Sequence, residues 1–243
     1  MNLIDLEQLL KIYKKDFFRE FQIHDYIKQA LNIIVDTSKI YSGESLKERF
    51  IDSNKLNELF IKHKSDKASR HSYGNFYEKL LEGNETPKIL EIGIGSVNKN
   101  DYANGIAAGS LKAWREFFPN GQIIGADIDR ESVKEAGYPS FYVDQINEVS
   151  ILELKKELQA FGGLDLIIDD GFHEIHANLM PLILLMDCLK PGGFYVIEDV
   201  HESLINLWIL IGSYLDLEIE ILDLREFREG VTDNIMVVFK RLS

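Results

Sequence analysis

Two short acidic runs are each closed by a histidine. One is Asp169-Asp170-Gly171-Phe172-His173, with His176 one helical turn further on; the other is Glu198-Asp199-Val200-His201. Carboxylates brought together repel one another unless a cation or protons intervene. A hard divalent cation such as Mg²⁺ takes oxygen ligands and keeps other positions for water or substrate oxygens. It can hold a sugar diol and acidify a bound hydroxyl, and a neighbouring His can then remove the proton. Side chains alternate faces along a strand, so the members of each acidic pair point apart unless a turn intervenes. The favoured assignment makes Asp170, Glu198 and Asp199 the metal ligands and His173 the base. His201 is a reserve candidate, and His176 reads as a solvated helix residue.

Three further segments have residues suited to a nucleoside. Glu91-Ile92-Gly93-Ile94-Gly95-Ser96 has glycines that permit a tight turn and close backbone approach. A pyrophosphate fingerprint needs a small residue three positions after the second glycine. Asn98 stands there, which favours a cofactor without pyrophosphate. Gly125-Ala126-Asp127-Ile128-Asp129 places Asp127 where an acid accepts both ribose hydroxyls, while Asp129 also suits a helix N-cap. Asp144 and Gln145 can reach an adenine edge or cap the helix that follows. The three segments together favour a nucleoside site over independent turn chemistry.

These residues need elements to hold them. Short apolar runs at 88–92, 122–128, 140–143, 164–168 and 193–197 read as strands, and 110–118, 151–160 and 175–189 read as helices between most of them. Such alternation predicts an α/β fold, a parallel sheet covered by helices on both faces. In open sheets of this kind ligands sit outside the C-terminal strand ends, where all the residues above fall. Runs at 217–224 and 235–240 leave no room for a crossover helix. They predict a terminal antiparallel hairpin with an irregular loop at 225–234. Residues 64–71 read as a polar loop.

Before that loop, residues 1–62 read as a helical segment. Leu3, Leu6, Leu9, Leu10 and Tyr13 form one face, and further helices are expected over 17–35 and 46–61. The expected domains are thus 1–62, a helical cap, lid or oligomerisation segment, and 63–243, which carries the site. Phe17, Phe18 and Phe21 offer an apolar surface consistent with a homo-oligomer.

The chain has 243 residues, 27 basic against 40 acidic, and a net charge of −13. That field argues against nucleic acid as a partner and against a polybasic membrane anchor. Cys188 is the single cysteine, so neither an internal disulfide nor a cysteine-based zinc cluster is available. The start lacks a signal-peptide pattern, and the longest apolar stretch, 204–215, is too short to span a bilayer. The expectation is a soluble, cytoplasmic protein.

Six separated motifs now fall in one order: Glu91-Ile-Gly-Ile-Gly95, Gly109-Ser-Leu-Lys-Ala-Trp114, Gly125-Ala-Asp-Ile-Asp129, Asp144-Gln145, Asp169-Asp-Gly-Phe-His173 and Ile197-Glu-Asp199. From about residue 64 onward the sequence resembles the S-adenosylmethionine-dependent sugar O-methyltransferases, of the macrolide-sugar and surface-polysaccharide type. Lys64-Ser-Asp-Lys67, His71-x-Tyr73 and Tyr77 resemble the loop that precedes the first strand in that family. The resemblance implies a Rossmann-like class I methyltransferase domain and methyl transfer to the hydroxyl of a sugar-containing small molecule. It also implies S-adenosylmethionine as cofactor, commonly with Mg²⁺. The expected cofactor contacts are Glu91, Gly93, Gly95, Ser96, Asp127, Ile128, Asp144, Gln145 and Asp169, and the expected substrate contacts are Lys67, His71 and Tyr73. The resemblance carries the metal over to Asp170, Glu198 and Asp199 and the base to His173. Phe172 stands where the family usually has Ser. The competing readings are a catechol-like O-methyltransferase, a nicotinamide-dependent oxidoreductase and a degenerate, non-catalytic methyltransferase domain.

Overall fold

The computed structural model describes residues 37–96, 107–215 and 217–242. The expected helices over residues 1–35, the aromatic residues Phe17, Phe18 and Phe21, and Asn98 lie outside the described residues.

The described residues begin with a 3₁₀ turn at Thr37–Lys39, a two-residue strand β1 (Ile40–Tyr41) and a 3₁₀ segment at Gly43–Arg49. Helices α1 (Lys55–Lys62), α2 (Asp66–Ser69) and α3 (Gly74–Leu80) follow. Strand β2 (Lys88–Ile92) then leads through α4 (Gly109–Phe117) to β3 (Gln122–Asp127), α5 (Arg130–Glu135) and β4 (Ser140–Tyr142). Helix α6 (Glu148–Leu158), β5 (Leu164–Asp169), α7 (Ile175–Leu185) and β6 (Leu189–Ile197) come next. The chain closes with α8 (Ile205–Tyr214), β7 (Glu218–Asp223) and β8 (Ile235–Lys240).

The strands form one eight-stranded sheet in the order β1-β7-β8-β6-β5-β2-β3-β4. Neighbours are parallel except where β8 meets β6 and β7, and those two pairings are antiparallel. This is the expected parallel sheet with a reversed terminal hairpin. The chain runs outward from β2 through β3 to β4, then crosses back to β5, so strand order reverses between β2 and β5. That is the position at which open α/β sheets bind ligands.

Alternation along each strand feeds two cores. Leu90 and Ile92 of β2, Ile167 of β5 and Tyr195 and Ile197 of β6 pack with α6, α7 and α8. Ile89, Ile168 and Val196 face the other way, toward Phe60 of α1, Tyr77 of α3 and Trp114 of α4. Each fully buried large apolar side chain contributes about 1.5–3 kcal/mol, so both layers of helices are firmly attached. Asp129 caps α5 by accepting from Glu131 N, and Asn147 caps α6 by accepting from Val149 N and Ser150 N. The polar residues after β3 and β4 therefore start the following helices as well as lining the sheet edge.

The structure departs from expectation in several places, among them the helix expected over 175–189, which ends at Leu185 while Leu189 already opens β6. The helix expected over 46–61 is split: Asp52, Ser53 and Asn54 hydrogen-bond backbone more readily outside helices, and α1 starts only after them. The extended link is held by Asn75, whose side chain donates to Ile51 O and Ser53 O. The expected loop at 64–71 contains α2, capped by Ser65. The apolar run at 204–215, interrupted at Asn206 and Ser213, is apolar on all sides and has no period to declare its geometry; its helix α8 lies against β7, where Gly212 sits close to Ile219. Finally, β1 pairs in parallel with β7, Ile40 opposite Ile221. Two residues are too few for a strand signal. No helix among the described residues is long and apolar enough to cross a membrane.

Candidate active site

The glycine loop after β2 is tied to its neighbours on both sides. Gly93 N donates to Ala126 O and Asp170 N donates to Ile92 O, each at 2.8 Å. Gly93 has φ +87°, and a Cβ there would lie 2.0 Å from the Asp170 carbonyl oxygen. Only glycine fits this close approach. Asp127, at the end of β3, accepts from Ile94 N (2.8 Å) and Asp129 N (2.7 Å). Its carboxyl is pushed up by burial, against the pull of those backbone donors. Ser96 Oγ donates to Asp129 Oδ2 at 3.0 Å. Exposed Ile128 and Ile146 stand on the same rim. Asp127 can accept further hydrogen bonds through its remaining lone pairs, and this glycine–acid–apolar rim fits a ribosyl group.

Other residues expected to meet the cofactor have partners within the protein. Glu91 is 1% exposed and accepts from Ser110 Oγ (2.5 Å) and Trp114 Nε1 (3.0 Å). Asp169, fully buried, accepts from Gln145 Nε2 (2.7 Å) and the Tyr195 hydroxyl (2.9 Å). Burial pushes its carboxyl up to about 6 despite these donors. Gln145 Oε1 accepts from Phe172 N at 2.9 Å, so Gln145 joins the ends of β4 and β5 from beneath. Asp144 accepts from Ile146 N at 3.1 Å within its own turn. Glu91, Gln145 and Asp169 thus have their side chains engaged within the protein, behind the rim.

Asp169 and Asp170 point apart, as alternation requires. Asp170 turns toward α2, where Lys67 Nζ donates to its Oδ2 at 2.6 Å. The Lys67 ammonium also bonds Glu198 Oε2 and lies 3.4 Å from Glu91 Oε1. The second Glu198 oxygen accepts from the Tyr77 hydroxyl. Asp199 accepts from the Tyr73 hydroxyl at 2.7 Å, and His71 Nε2 lies 3.4 Å from the same oxygen. The His71 ring stacks on Tyr73. Asp199 has φ +54° and His173 φ +51°. The turn at Asp199 lets two consecutive residues, Glu198 and Asp199, serve one cluster.

His173 Nε2 is 3.9 Å from Asp170 Oδ1 and 3.9 Å from Asp199 Oδ2. Ligand atoms of Asp170, His173 and Asp199 all lie within 4.8 Å of one another. Behind them the Lys67 ammonium is set against Glu91, Asp170 and Glu198. Burial and the neighbouring carboxylates push the carboxyl of Glu198 well up, more than Lys67 pulls it down. Asp199 is pushed up as well, by burial first and Asp170 next. An oxygen-rich donor set short of positive charge fits a divalent cation.

Lys67, His71 and Tyr73 are buried, each at 1% exposure or less. They brace the acids from behind, Lys67 on Asp170 and Glu198, Tyr73 on Asp199, and His71 beside Asp199. His201 is exposed and its Nδ1 accepts from Ser203 N as a helix cap, outside the cluster. His176 is half-buried, its ring edge-on to Phe172. Tyr77, which the sequence places with the loop before the first strand but without a role, lies four residues after Tyr73, one helical turn, and the two hydroxyls meet Glu198 and Asp199. Arg228 had no local signal. From the β7–β8 loop it donates to Ala68 O, His71 O and Ser72 Oγ, fastening the segment that carries Lys67.

No family model matches the chain. It is 33% identical over 148 residues to the 8-demethyl-8-alpha-L-rhamnosyl tetracenomycin-C 2'-O-methyltransferase of Streptomyces olivaceus, covering 60% of this chain and 37% of that protein. It is 37% identical over 122 residues to the mycinamicin VI 2''-O-methyltransferase of Micromonospora griseorubida, covering 49% and 29%. The chain therefore spans less than half the length of these curated relatives. Among solved structures, the MycE methyltransferase of the mycinamycin biosynthetic pathway in complex with Mg and SAH superposes with a TM-score of 0.58 at 27% identity, covering 77% of this chain and 55% of that one. An O-methyltransferase from Bacillus cereus in complex with SAH shares the fold, with a TM-score of 0.51 at 11% identity over 81% of this chain and 95% of that one. The sheet is that of the class I methyltransferases, and over the shared region the chain is similar in sequence to the two sugar O-methyltransferases above.

Proposed function

We propose that the chain is an S-adenosylmethionine-dependent O-methyltransferase that methylates a hydroxyl of a sugar-bearing small molecule, with a divalent cation such as Mg²⁺ at its acidic cluster. The observation that carries this reading is the convergence of His173 with Asp170 and Asp199 at the point where strand order reverses, beside the glycine loop and Asp127. The names of the two sugar O-methyltransferases given above support the sugar as acceptor.

The cofactor supplies an electrophilic methyl group on a sulfonium, and the cation supplies charge that binds a diol and favours its alkoxide. Asp127 and the glycine loop hold the ribosyl end. Asp170, Glu198 and Asp199 would hold the cation. His173 Nε2 would accept the acceptor hydroxyl proton as that oxygen takes the methyl group, with S-adenosylhomocysteine as the leaving group. Fixing both reactants at adjoining strand ends removes much of the entropic barrier.

The glycosidically attached sugar of a natural product is the favoured acceptor; a nucleotide-linked sugar of a polysaccharide pathway is the other sugar source. A catechol-like aromatic acceptor is favoured by one observation: Phe172, 55% exposed, stands next to His173. Methyl transfer is tested with a glycosylated polyketide, a nucleotide sugar and a catechol, each with Mg²⁺. Turnover of either sugar substrate supports the proposal. Turnover of the catechol alone replaces the acceptor, and transfer to none of them contradicts the reading.

A further inference from the structure

The imidazole of His71 is buried without a hydrogen bond. The residue is 1% exposed, and among the described residues neither Nδ1 nor Nε2 has a hydrogen-bond partner. Buried polar atoms are nearly always paired, so two bare nitrogens on one ring need a reason. The ring is also held in place. Its face stacks on Tyr73, with centroids 4.9 Å apart and planes 16° from parallel. The His71 backbone N–H donates to Asp66 O at 2.9 Å, and its carbonyl accepts from Arg228 Nε at 3.1 Å. Nε2 is thereby aimed at Asp199 Oδ1, 3.4 Å away. That oxygen accepts from the Tyr73 hydroxyl at 2.7 Å, whereas Asp199 Oδ2 faces His173 Nε2 at 3.9 Å.

We propose that His71 is a positioning residue for the metal centre: with Tyr73 it holds Asp199 Oδ1 through its Nε2–H, which leaves Oδ2 as the oxygen that Asp199 offers the cation. This rests on the metal-assisted reading above. A lone pair on Nε2 would repel the carboxylate oxygen it faces, so the proton sits on Nε2. A shift of about 0.2 Å brings the pair into ordinary hydrogen-bond range. Carboxylates that bind a metal are themselves oriented by hydrogen bonds. Asp199 has particular need of a guide, because it sits in a turn with φ +54°, a strained conformation that persists only where its surroundings hold it. Two imidazoles then flank Asp199 with different duties. The exposed His173 is open to the acceptor, and the buried His71 acts on Asp199 alone.

The test is Mn²⁺ binding to the purified protein, read by electron paramagnetic resonance without cofactor or acceptor. His71→Phe keeps a flat ring against Tyr73 and removes the donor; His71→Gln restores an N–H near the reach of Nε2. Each is first checked for a cooperative melt. The expected result is Mn²⁺ affinity about tenfold or more weaker in His71→Phe, the usual loss when a group that orients a metal ligand is removed. His71→Gln recovers part of that loss, and S-adenosylhomocysteine affinity stays at the wild-type value in both. Wild-type Mn²⁺ affinity in folded His71→Phe overturns the proposal. An equal loss in the two variants also overturns it and marks His71 as packing alone. If the wild type binds no Mn²⁺, the metal reading falls and this inference with it; S-adenosylhomocysteine binding, measured in parallel, reports whether the cofactor site stands alone. Should His71→Phe fail to fold, the ring resonances of ¹⁵N-labelled wild type are followed during Mg²⁺ titration. A proton on His71 Nε2 whose resonance moves with Mg²⁺ supports the proposal. A proton on Nδ1 alone, or a resonance unmoved at saturating Mg²⁺, overturns it.

Discussion

At the residue scale, three groups near one another have separable roles. His173 has Nε2 facing the Asp170–Asp199 pair and is not part of the glycine loop. Replacing it with Ala is expected to lower kcat by about 10²–10⁴-fold, the usual span for a general base. S-adenosylhomocysteine affinity should stay within about twofold, since His173 lies off the ribosyl rim. Steady-state kinetics beside calorimetry checks both halves. Asp169 makes a different prediction. Its folded carboxyl sits at about 6 against an ordinary 3.8. A raised carboxyl binds its proton more tightly in the folded state, so its contribution to stability is full below 3.8 and is lost as pH rises through about 6. Two units correspond to about 3 kcal/mol. Thermal melts of wild type and Asp169→Asn between pH 4 and 7 should show the wild type losing up to about that much relative to the variant. A constant gap across the window would contradict this.

The element scale explains which parts of the site could be read in advance. Strands β2 to β6 and the terminal hairpin follow from short apolar runs and from the missing crossover, and they put the expected residues at one sheet edge. The sequence also contained the alternation that separates Asp169 from Asp170. It could not show how Lys67 is used, because its partners are more than a hundred residues away in the chain for Asp170 and Glu198. Polarity alone made residues 64–71 a loop, whereas burial of Lys67 among carboxylates turns part of it into α2. The inward turn of Glu91 follows from Ser110 and Trp114 on α4, again a tertiary cause. Gly93 gives the test at this scale. Gly93→Ala forces a Cβ to within 2.0 Å of the Asp170 carbonyl at φ +87°. The expected loss of stability is more than about 2 kcal/mol, with the end of β5 displaced, measured by chemical denaturation. A melt like that of the wild type would show that the β2–β5 contact is not tight.

Over the whole molecule, the two cores fix two layers of helices on one sheet, and the crevice lies where strand order reverses between β2 and β5. Segment 64–77 crosses that crevice on one side, held by Lys67 to β5 and β6 and by Arg228 to the β7–β8 loop. The site is therefore assembled from both halves of the sheet and from the segment before it. The crevice is proposed to take an adenosyl amino acid, a cofactor without pyrophosphate. The most direct measurement is calorimetric titration of S-adenosylhomocysteine into the metal-stripped protein, repeated with Mg²⁺, with NAD as control and Asp127→Ala alongside. Binding in the micromolar range, none of NAD, and affinity about tenfold or more weaker in the variant are expected, since lost charge-assisted hydrogen bonds cost about 1.5–3 kcal/mol. No binding of S-adenosylhomocysteine with or without Mg²⁺ would contradict the account and leave a degenerate methyltransferase domain.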